Sequence, residues 1–535
     1  MAAALAAGRF CFVVELVASA LQREARLLEV ASRLARVPDV VAGSITSYAG
    51  GAMGHDPLRV GTAARARGLT PNVHLTCVGQ DRAGLRKRLE DLHALGITNV
   101  FALTGDWPRA RAGGPAPESP VFDLDSVQLV ALVDELRRGG RPYHVAVAVS
   151  PFKYVEADCA WQYLKLEKKI AAGADVAITQ VGWDAEKFRE LRRYLDERGL
   201  RTPVLGNVYV LGPRAAEKMA GGEPPGCWVS PALLEVVRRE AEARDGGLRA
   251  RLERAARMVA ILRGLGYAGA YLGGTHDADH VLWIIRRARE LAPRWEELAA
   301  ELAYGPPGGF YLYGTPSRPP GGAPGSAPGG SPGDPGARAI DRAGRPGAGP
   351  APTGGPIGLP AGRAPTAAPG LPRLAVATDA EAPWRRALPW LLDAGARLAP
   401  VGGESALRRV LARVAAWADR RPAVGRAVER LELAVKRPLF GCRACGNCVL
   451  GHLEYVCPET CPKRLRNGPC GGTYFGRCEV IDQPCVWVSV HARARAAGRV
   501  SALATYVPPP DRALQGSSSW INFLLRRDRR PGTAA

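Results

Sequence analysis

The densest group of reactive side chains is a cysteine cluster near the end of the chain. Eight of the twelve cysteines lie in this cluster: Cys442, Cys445, Cys448, Cys457, Cys461, Cys470, Cys478 and Cys485. Two-residue spacers let neighbouring thiolates converge, and four thiolates hold one zinc ion or one iron–sulfur cluster. Packing alone does not require so many thiols so close together. The spacing predicts a metal-binding module with up to two sites, and it favours at least one [4Fe-4S] cluster, with zinc as the alternative.

A second set of polar residues stands at the ends of apolar runs in the first 300 residues. Its members are Glu15, Thr46, His74, Asp106, Ser150 and Gln180. A carboxyl group that burial keeps protonated can act as a general acid. Carboxylate and amide groups can also pair with the edge of a heterocycle. Plainer roles stay open here: a structural carboxylate at Glu15, a helix cap at Asp106 and satisfied polar residues elsewhere.

These positions follow an alternation of strand-like and helix-like segments from residue 1 to about 302. The predicted strands are Cys11–Glu15, Val41–Thr46, Asn72–Thr76, Asn99–Leu103, His144–Val149, Val176–Gln180, Thr202–Asn207 and Gly269–Leu272. Amphipathic segments such as Arg82–Leu95 and Ala185–Arg198 predict helices between them. The pattern predicts an α/β fold, a (β/α)8 TIM barrel, with an open doubly wound sheet as the alternative. In a barrel the polar residues would meet at one face.

Five segments of this region together resemble the methylenetetrahydrofolate reductase family, in the family's order and at its approximate spacing. They are residues 12–15, 44–46, 71–77, 102–106 and 171–180. Residues 121–126 and the cysteine cluster resemble acetogen-type reductases and their accessory iron–sulfur subunit, here in one chain. The resemblance implies reduction of 5,10-methylenetetrahydrofolate to 5-methyltetrahydrofolate with FAD. The expected partners are this folate, NAD(P)H or a protein electron donor, further copies of the chain and partner subunits.

The resemblance also implies roles for single residues. Glu15 matches the family's general acid, which protonates N10 of the substrate. Asp106 matches a catalytic residue that contacts the pterin near the flavin ring, and Gln180 matches a pterin-binding amide. The matching flavin contacts are Thr46, His74, Thr104, Ser150, Lys165 and Lys169. Thr104 and Ser150 replace an arginine and a tyrosine that the family usually has there.

The composition excludes several other classes of protein. Hydrophobic residues at 47% and charged residues at 23% are typical of a globular protein. The net charge is +21, but only nine of the 72 basic residues are lysine and the arginines are scattered. We interpret this charge as a solvated basic surface, so nucleic acid is not an expected partner. The early apolar run 10–21 is too short to span a membrane, so we expect no membrane insertion and a cytoplasmic protein.

Composition also divides the chain into parts. Residues 1–302 form the predicted barrel domain. Residues 303–373 are dominated by Pro, Gly and Ala, which predicts an extended linker. Residues 374–512 combine a helical segment, with Trp384, Trp390 and Trp417 as core candidates, with the cysteine-rich module, which would relay electrons or organise a partner subunit. Residues 513–535 predict a poorly ordered tail.

Two other functions stay open at this stage. A barrel that binds a pterin without flavin and takes part in methyl transfer would use the same Asp106 and Gln180. A catalytically decayed barrel with a zinc-stabilised interaction module would account for the arginine excess. Colour distinguishes these functions, because a protein with flavin and iron–sulfur clusters is yellow-brown and a zinc scaffold is colourless.

Overall fold

The computed structural model describes residues 1–17, 24–46, 48–49, 52–53, 56–108, 120–314, 383–398 and 405–528. From residue 315 to its end, the predicted linker lies outside the described residues, and so does the end of the chain after residue 528. The division into domains therefore stays a prediction.

Eight parallel strands close into a barrel, which confirms the predicted fold. The strands of the described residues are β1 Cys11–Val17, β2 Val40–Thr46, β3 Tyr48–Ala49, β4 Ala52–Met53, β5 Pro71–Thr76, β6 Asn99–Leu103, β7 His144–Val149, β8 Val176–Thr179, β9 Val204–Tyr209 and β10 Gly269–Gly273. The order around the barrel is β1-β10-β9-β8-β7-β6-β5-β2, and β3 pairs with β4 in a separate antiparallel hairpin. The doubly wound alternative is excluded, because β1 pairs with both β10 and β2.

Helices follow the strands and cover the outside of the barrel. Their bounds are α1 Ala2–Ala6, α2 Glu24–Leu34, α3 Pro57–Ala66, α4 Arg82–Ala94, α5 Ser126–Arg138, α6 Glu156–Ala171, α7 Ala185–Glu197, α8 Pro213–Ala220, α9 Pro231–Ala241, α10 Leu248–Gly264, α11 Ala278–Leu291 and α12 Trp295–Glu301. Aspartate side chains cap the starts of several of them, as Asp184 does for α7. The segment after α12 also packs on the barrel, because the Tyr311 hydroxyl donates to Asp184 at 2.7 Å.

Strand β7 shows why these sequences form a barrel. Val145, Val147 and Val149 alternate with small residues and pack outward under the helices. Ala146 points the other way, into the apolar cluster that fills the barrel interior, and Ala148 packs against that cluster. In β7 the period of two therefore assigns the large residues to the helix-facing side and the small ones to the interior, where larger side chains such as Phe101 and Tyr271 come from other strands. Helix α1 packs against the same interior cluster through Ala4.

The C-terminal part is helical around the cysteine-rich module. Its helices among the described residues are α13 Pro383–Leu398, α14 Ala406–Asp419, α15 Pro422–Phe440, α16 Val486–Ala496 and α17 Ser519–Leu524. Short 3-10 helices cover Ala292–Arg294, Leu450–His452, Pro458–Thr460, Val500–Ala504 and Arg512–Leu514.

Two expectations for this part need correction. Trp390 is 70% exposed and Trp417 is 51% exposed, so neither is a core residue, while the side chain of Trp384 lies outside the described ones. The described part of the predicted tail, residues 513–528, is packed rather than loose. Ser518 and Ser519 donate hydrogen bonds to the buried carboxylate of Glu432, and α17 packs on α14. A buried carboxylate is costly without hydrogen-bond partners, so these bonds stabilise the packed position of residues 513–528.

None of the described helices is long and apolar enough to cross a bilayer. All twelve cysteines are free thiols. The predicted cytoplasmic location stays a prediction.

Candidate functional site

The carboxyl ends of the barrel strands bring the predicted site residues to one mouth. Along each strand, alternate residues face the interior, as Cys11 and Val13 do on β1, and Glu15 continues this series. Thr46, His74, Ser150 and Gln180 stand at the corresponding ends of β2, β5, β7 and β8. The prediction that one face of the barrel gathers them is therefore consistent with the register of the strands.

Glu15 is an acidic residue of this mouth, and it is partly buried. Burial raises the pKa of its carboxyl to about 7, although the Tyr271 hydroxyl and the Gly274 N–H donate hydrogen bonds that favour the charged form. A side chain at Gly273 would crowd this carboxyl, because a Cβ there would lie 2.8 Å from Oε2 of Glu15. A carboxyl with this pKa is available as a proton donor near neutral pH.

A chain of hydrogen bonds leads to Glu15 from the neighbouring strands. Ser44 Oγ lies 2.9 Å from His74 Nε2 and 3.1 Å from Asn72 Nδ2, and the Ser44 hydroxyl also bonds Tyr271. Ser44 Oγ accepts from the Asn72 amide, and which of Ser44 and His74 donates to the other depends on the tautomer of His74. Burial lowers the pKa of His74 to about 3, so its imidazole is neutral.

Asp106 lies on the turn that follows β6, and it is exposed to the mouth. No helix begins within described residues 104–108, which removes the alternative that Asp106 is a helix cap. Thr104 holds the start of the turn, because its Oγ1 accepts from the Ser126 N–H at 3.3 Å. Burial, followed by the negative charges of Asp106 and Glu15, raises the pKa of the Cys227 thiol to about 12. Cys227 therefore lies within electrostatic range of both carboxylates.

Several polar atoms at the mouth have no hydrogen-bond partner although they are buried. They are Ser150 Oγ, Asn72 Oδ1 and Asn207 Oδ1. Gln180 uses its Oε1 to accept from the Val181 N–H at 2.9 Å, which leaves its NH2 group as a donor. Buried polar atoms without partners are costly, and a polar heterocycle bound at the mouth would supply partners. Two amide acceptors, one hydroxyl and one amide donor therefore suit a pterin or a flavin ring, whose edges carry both donors and acceptors.

Three lysines of helix α6 form a buried cationic group beside the mouth. Lys169 Nζ donates to the Ala148 carbonyl at 2.6 Å, and Lys165 Nζ donates to the Pro469 carbonyl at 2.9 Å. Burial, together with the nearby charge of Lys165, lowers the pKa of Lys168 and of Lys169 to about 7. An anionic group bound among these ammonium groups would raise both pKa values, because its charge would offset the burial and the repulsion from Lys165. The set fits a flavin phosphate, although Lys165 would then share its protons with Pro469.

The cysteine-rich module covers one side of the mouth through contacts with backbone groups. The fully buried Lys153 donates to the carbonyl groups of Gly471 and Thr473. Asp125 Oδ2 accepts from the N–H and the side-chain amide of Asn467, both at 3.0 Å. Sequence reasoning missed this docking, because the two partners in each contact are more than 300 residues apart in the chain.

The eight clustered cysteines separate into two sets of four. The first set, Cys442, Cys445, Cys448 and Cys457, lines one cavity. Lys436 Nζ lies 3.5 Å from Cys448 Sγ, and Arg466 Nη2 lies 3.5 Å from Cys445 Sγ. Cationic donors next to sulfur atoms are suited to thiolates that carry negative charge.

The second set, Cys461, Cys470, Cys478 and Cys485, lies nearer the barrel. The Thr473 hydroxyl is 3.9 Å from Cys470 Sγ and 3.8 Å from Cys485 Sγ, while the carbonyl of Thr473 binds Lys153. Burial raises the pKa of Cys470 to about 12, so its thiol is neutral without a metal. Among the described residues, no three His, Cys, Asp or Glu side chains already have the arrangement of a metal site. The chemistry of both donor sets nevertheless fits zinc or iron–sulfur clusters.

The residues that sequence reasoning missed are of two kinds. Ser44, Tyr209 and Tyr271 lie on the interior-facing side of their strands, and the alternation of the strands could have found them. Cys227 and Lys463 lie in irregular segments, where no periodic signal exists.

Both parts of the chain match family models. Residues 1–220 match the model described as methylenetetrahydrofolate reductase, and residues 421–513 match the model described as methylene-tetrahydrofolate reductase C terminal. The resemblance of the cysteine-rich region to an accessory iron–sulfur subunit stays a prediction.

Curated relatives match part of the chain. The 5,10-methylenetetrahydrofolate reductase of Pectobacterium carotovorum subsp. carotovorum is 33% identical over 148 residues, which cover 28% of this chain and 46% of that protein. The protein of the same name from Salmonella typhimurium is 32% identical over 155 residues, covering 29% and 48%. A probable methylenetetrahydrofolate reductase (NADPH) of Caenorhabditis elegans is 26% identical over 156 residues, covering 29% and 22%. The chain thus spans about half the length, or less, of these relatives.

Proposed function

We propose that this chain reduces 5,10-methylenetetrahydrofolate to 5-methyltetrahydrofolate in the mouth of its barrel. The observation that carries the proposal is the partly buried carboxyl of Glu15, whose pKa burial raises to about 7 at the end of β1. The match of residues 1–220 to the reductase family supports the choice of substrate.

In this proposal Glu15 opens the five-membered ring of the substrate. Its proton goes to N10 as the bond between N10 and the methylene carbon breaks, and the lone pair of N5 forms the iminium bond to that carbon. A hydride then adds to the methylene carbon, which becomes the methyl group. Tyr271 keeps the Glu15 carboxyl in place by its hydrogen bond, so one oxygen of the carboxyl is fixed while the other faces substrate.

Asp106 and Gln180 orient the pterin. The exposed carboxylate of Asp106 can accept two hydrogen bonds from the amino-pyrimidine edge. The NH2 group of Gln180, which Val181 does not use, can donate to the ring. Both groups bind the substrate before and after hydride transfer, so they act mainly on affinity.

A reduced flavin would supply the hydride when it is bound. Thr46, His74, Thr104 and Ser150 would hold its ring, and the lysines of α6 would hold its phosphate. The buried Ser150 Oγ has no hydrogen-bond partner among the described residues, and the neutral imidazole of His74 offers one ring nitrogen as donor and the other as acceptor.

The test of this proposal is product formation by the full chain. The anaerobic protein is mixed with 5,10-methylenetetrahydrofolate and dithionite-reduced methyl viologen, and 5-methyltetrahydrofolate is measured by chromatography. We expect product in proportion to the protein. Folate binding without product would favour the non-redox pterin-binding barrel, and absence of folate binding would favour the decayed scaffold and overturn the proposal.

We also propose that the two cysteine sets hold two metal centres, which relay electrons to the barrel or dock a partner subunit. We expect Cys445→Ser and Cys470→Ser each to lose about half of the bound metal, because each removes one of four thiolates from a different set. Metal and sulfide analysis with ultraviolet–visible spectra measures this, and it distinguishes iron–sulfur from zinc. Cys159→Ser, which removes a buried thiol in the barrel, is the control. Equal metal content in all three variants and the wild type would contradict the assignment.

A further inference from the structure

We propose that Lys463 is a positioning residue of the folate site, and that the cysteine-rich module thereby completes the site that the barrel begins. Lys463 fixes the turn that carries Asp106. The inference rests on the proposed function, in which Asp106 binds the pterin.

The side chain of Lys463 reaches from the module into the mouth of the barrel. It is 2% exposed, and its Nζ donates to the Gly105 carbonyl at 2.8 Å. The buried carboxylate of Glu479, in the same module, pairs with it. The ammonium charge also attracts the carboxylate of Asp106, the residue after Gly105.

The turn at Gly105 depends on the hydrogen bond from Lys463. Gly105 has a φ of +88°, and a Cβ there would lie 2.8 Å from Val78 Cγ1. The barrel holds both sides of this residue: Ser126 bonds Thr104 before it, and the Trp107 ring stacks on Phe122 after it, with 6.1 Å between centroids. The carbonyl of Gly105 is held instead by Lys463. Loss of that bond frees the peptide unit between Gly105 and Asp106 to rotate, and this peptide sets the direction of the Asp106 side chain.

Docking of the module does not depend on Lys463 alone. Asp125 binds Asn467, Lys153 binds Gly471 and Thr473, and the Trp161 indole donates to the Trp487 carbonyl at 2.7 Å. Removing the Lys463 ammonium should therefore leave the module docked and change the turn locally.

The experiment compares the full chain with the Lys463→Met/Glu479→Gln double variant, which leaves no unpaired buried charge. The Lys463→Arg variant keeps the charge and can still donate to the Gly105 carbonyl. Arg495→Gln is the control, because it breaks the module-to-barrel ion pair with Glu156 away from the turn. Titration calorimetry with 5-methyltetrahydrofolate gives the Kd and the number of sites, and hydrogen exchange follows the amides of residues 104–108.

We expect the double variant to bind the folate about 10-fold more weakly with an unchanged number of sites, since one bond to a charged donor is lost. Exchange at residues 104–108 should rise, Lys463→Arg should restore most of the affinity, and Arg495→Gln should match the wild type. If Lys463 had a merely structural role, the double variant would have fewer binding sites and an unchanged Kd, and this result would overturn the inference. A double variant with the Kd and the hydrogen exchange of the wild type would overturn it as well. If the wild type binds no folate, the proposed function fails and the inference falls with it, while the exchange data still report whether Lys463 orders the turn.

Discussion

Replacing Glu15 by glutamine should lower turnover of 5,10-methylenetetrahydrofolate by about 100- to 10,000-fold, the usual contribution of a positioned general acid. Glutamine keeps the size of the side chain and its bond to Tyr271, but it has no proton to give to N10. The Kd for 5-methyltetrahydrofolate should change little, because binding depends on Asp106 and Gln180. Single-turnover assays and folate titration measure the two effects separately, and normal turnover by the variant would refute the assignment of the acid.

The pH profile provides a second check on the same carboxyl. Only the protonated form donates, so turnover by the wild type should fall as the pH rises through about 7. The Tyr271 hydroxyl favours the charged form of Glu15. Tyr271→Phe should therefore raise the pKa of Glu15 and move the fall in turnover to higher pH. A profile that moves to lower pH, or does not move, would contradict this hydrogen bond.

The pH dependence of the free energy of unfolding should also reflect the raised pKa of Glu15. The folded chain keeps the Glu15 proton up to about pH 7, whereas the unfolded chain releases it near the ordinary value of 4.5. The free energy of unfolding therefore declines between these pH values, and Glu15→Gln escapes this decline. We expect the variant to gain about 2–3 kcal/mol relative to the wild type between pH 4 and pH 8. Denaturant unfolding at both pH values tests the sign.

Replacing Asp125 by alanine should have the largest effect on stability. Asp125 is 1% exposed, and its two oxygens accept from five donors: the backbone N–H groups of Val127, Gln128, Arg466 and Asn467 and the side-chain amide of Asn467. The first two begin helix α5, and the other three belong to the cysteine-rich module. Losing the carboxylate leaves the four backbone donors buried without this partner and the Asn467 amide with only the Val507 carbonyl, which should cost about 3–5 kcal/mol. We expect the module to leave the barrel.

Limited proteolysis and small-angle scattering measure that separation. Asp123→Ala is the matched control, since Asp123 is only partly buried and pairs with Arg512 near the surface. It should cost about 1 kcal/mol or less and leave the module docked. An Asp125→Ala protein that stays docked would show that the apolar contacts of Trp161 and Trp487 are sufficient.

The sequence predicted the barrel well because its signal is local. In β7 the alternation of valine with small residues is visible without any knowledge of the partners. The predicted site residues were polar residues close to the carboxyl ends of the strands, which included Glu15 and His74. Ser44 lies two residues before Thr46, and Tyr271 lies on a strand that ends in glycine, so neither was included.

The rest depends on contacts that local patterns cannot show. Lys165 has the charge that a phosphate-binding residue needs. Its ammonium nevertheless donates to the Pro469 carbonyl of the module, 304 residues away in the chain. Trp390 and Trp417 were expected in a core because tryptophan is costly to expose, but their helices present them to the surface. The separation of eight cysteines into two sets also needs the folded chain, because Cys457 and Cys461 are close in sequence and belong to different sets.

The contact between Trp161 and Trp487 has a consequence for how the protein is made. Trp161 lies on helix α6 of the barrel and is fully covered by the module, with ring centroids 5.0 Å apart. A ribosome completes the barrel well before it reaches Trp487, and at ordinary elongation rates the interval is roughly 10–40 s. During that time the nascent barrel exposes this indole and the buried lysines beside it. The chain therefore passes through a period of vulnerability to aggregation, which ends only when the cysteine-rich module has emerged and docked.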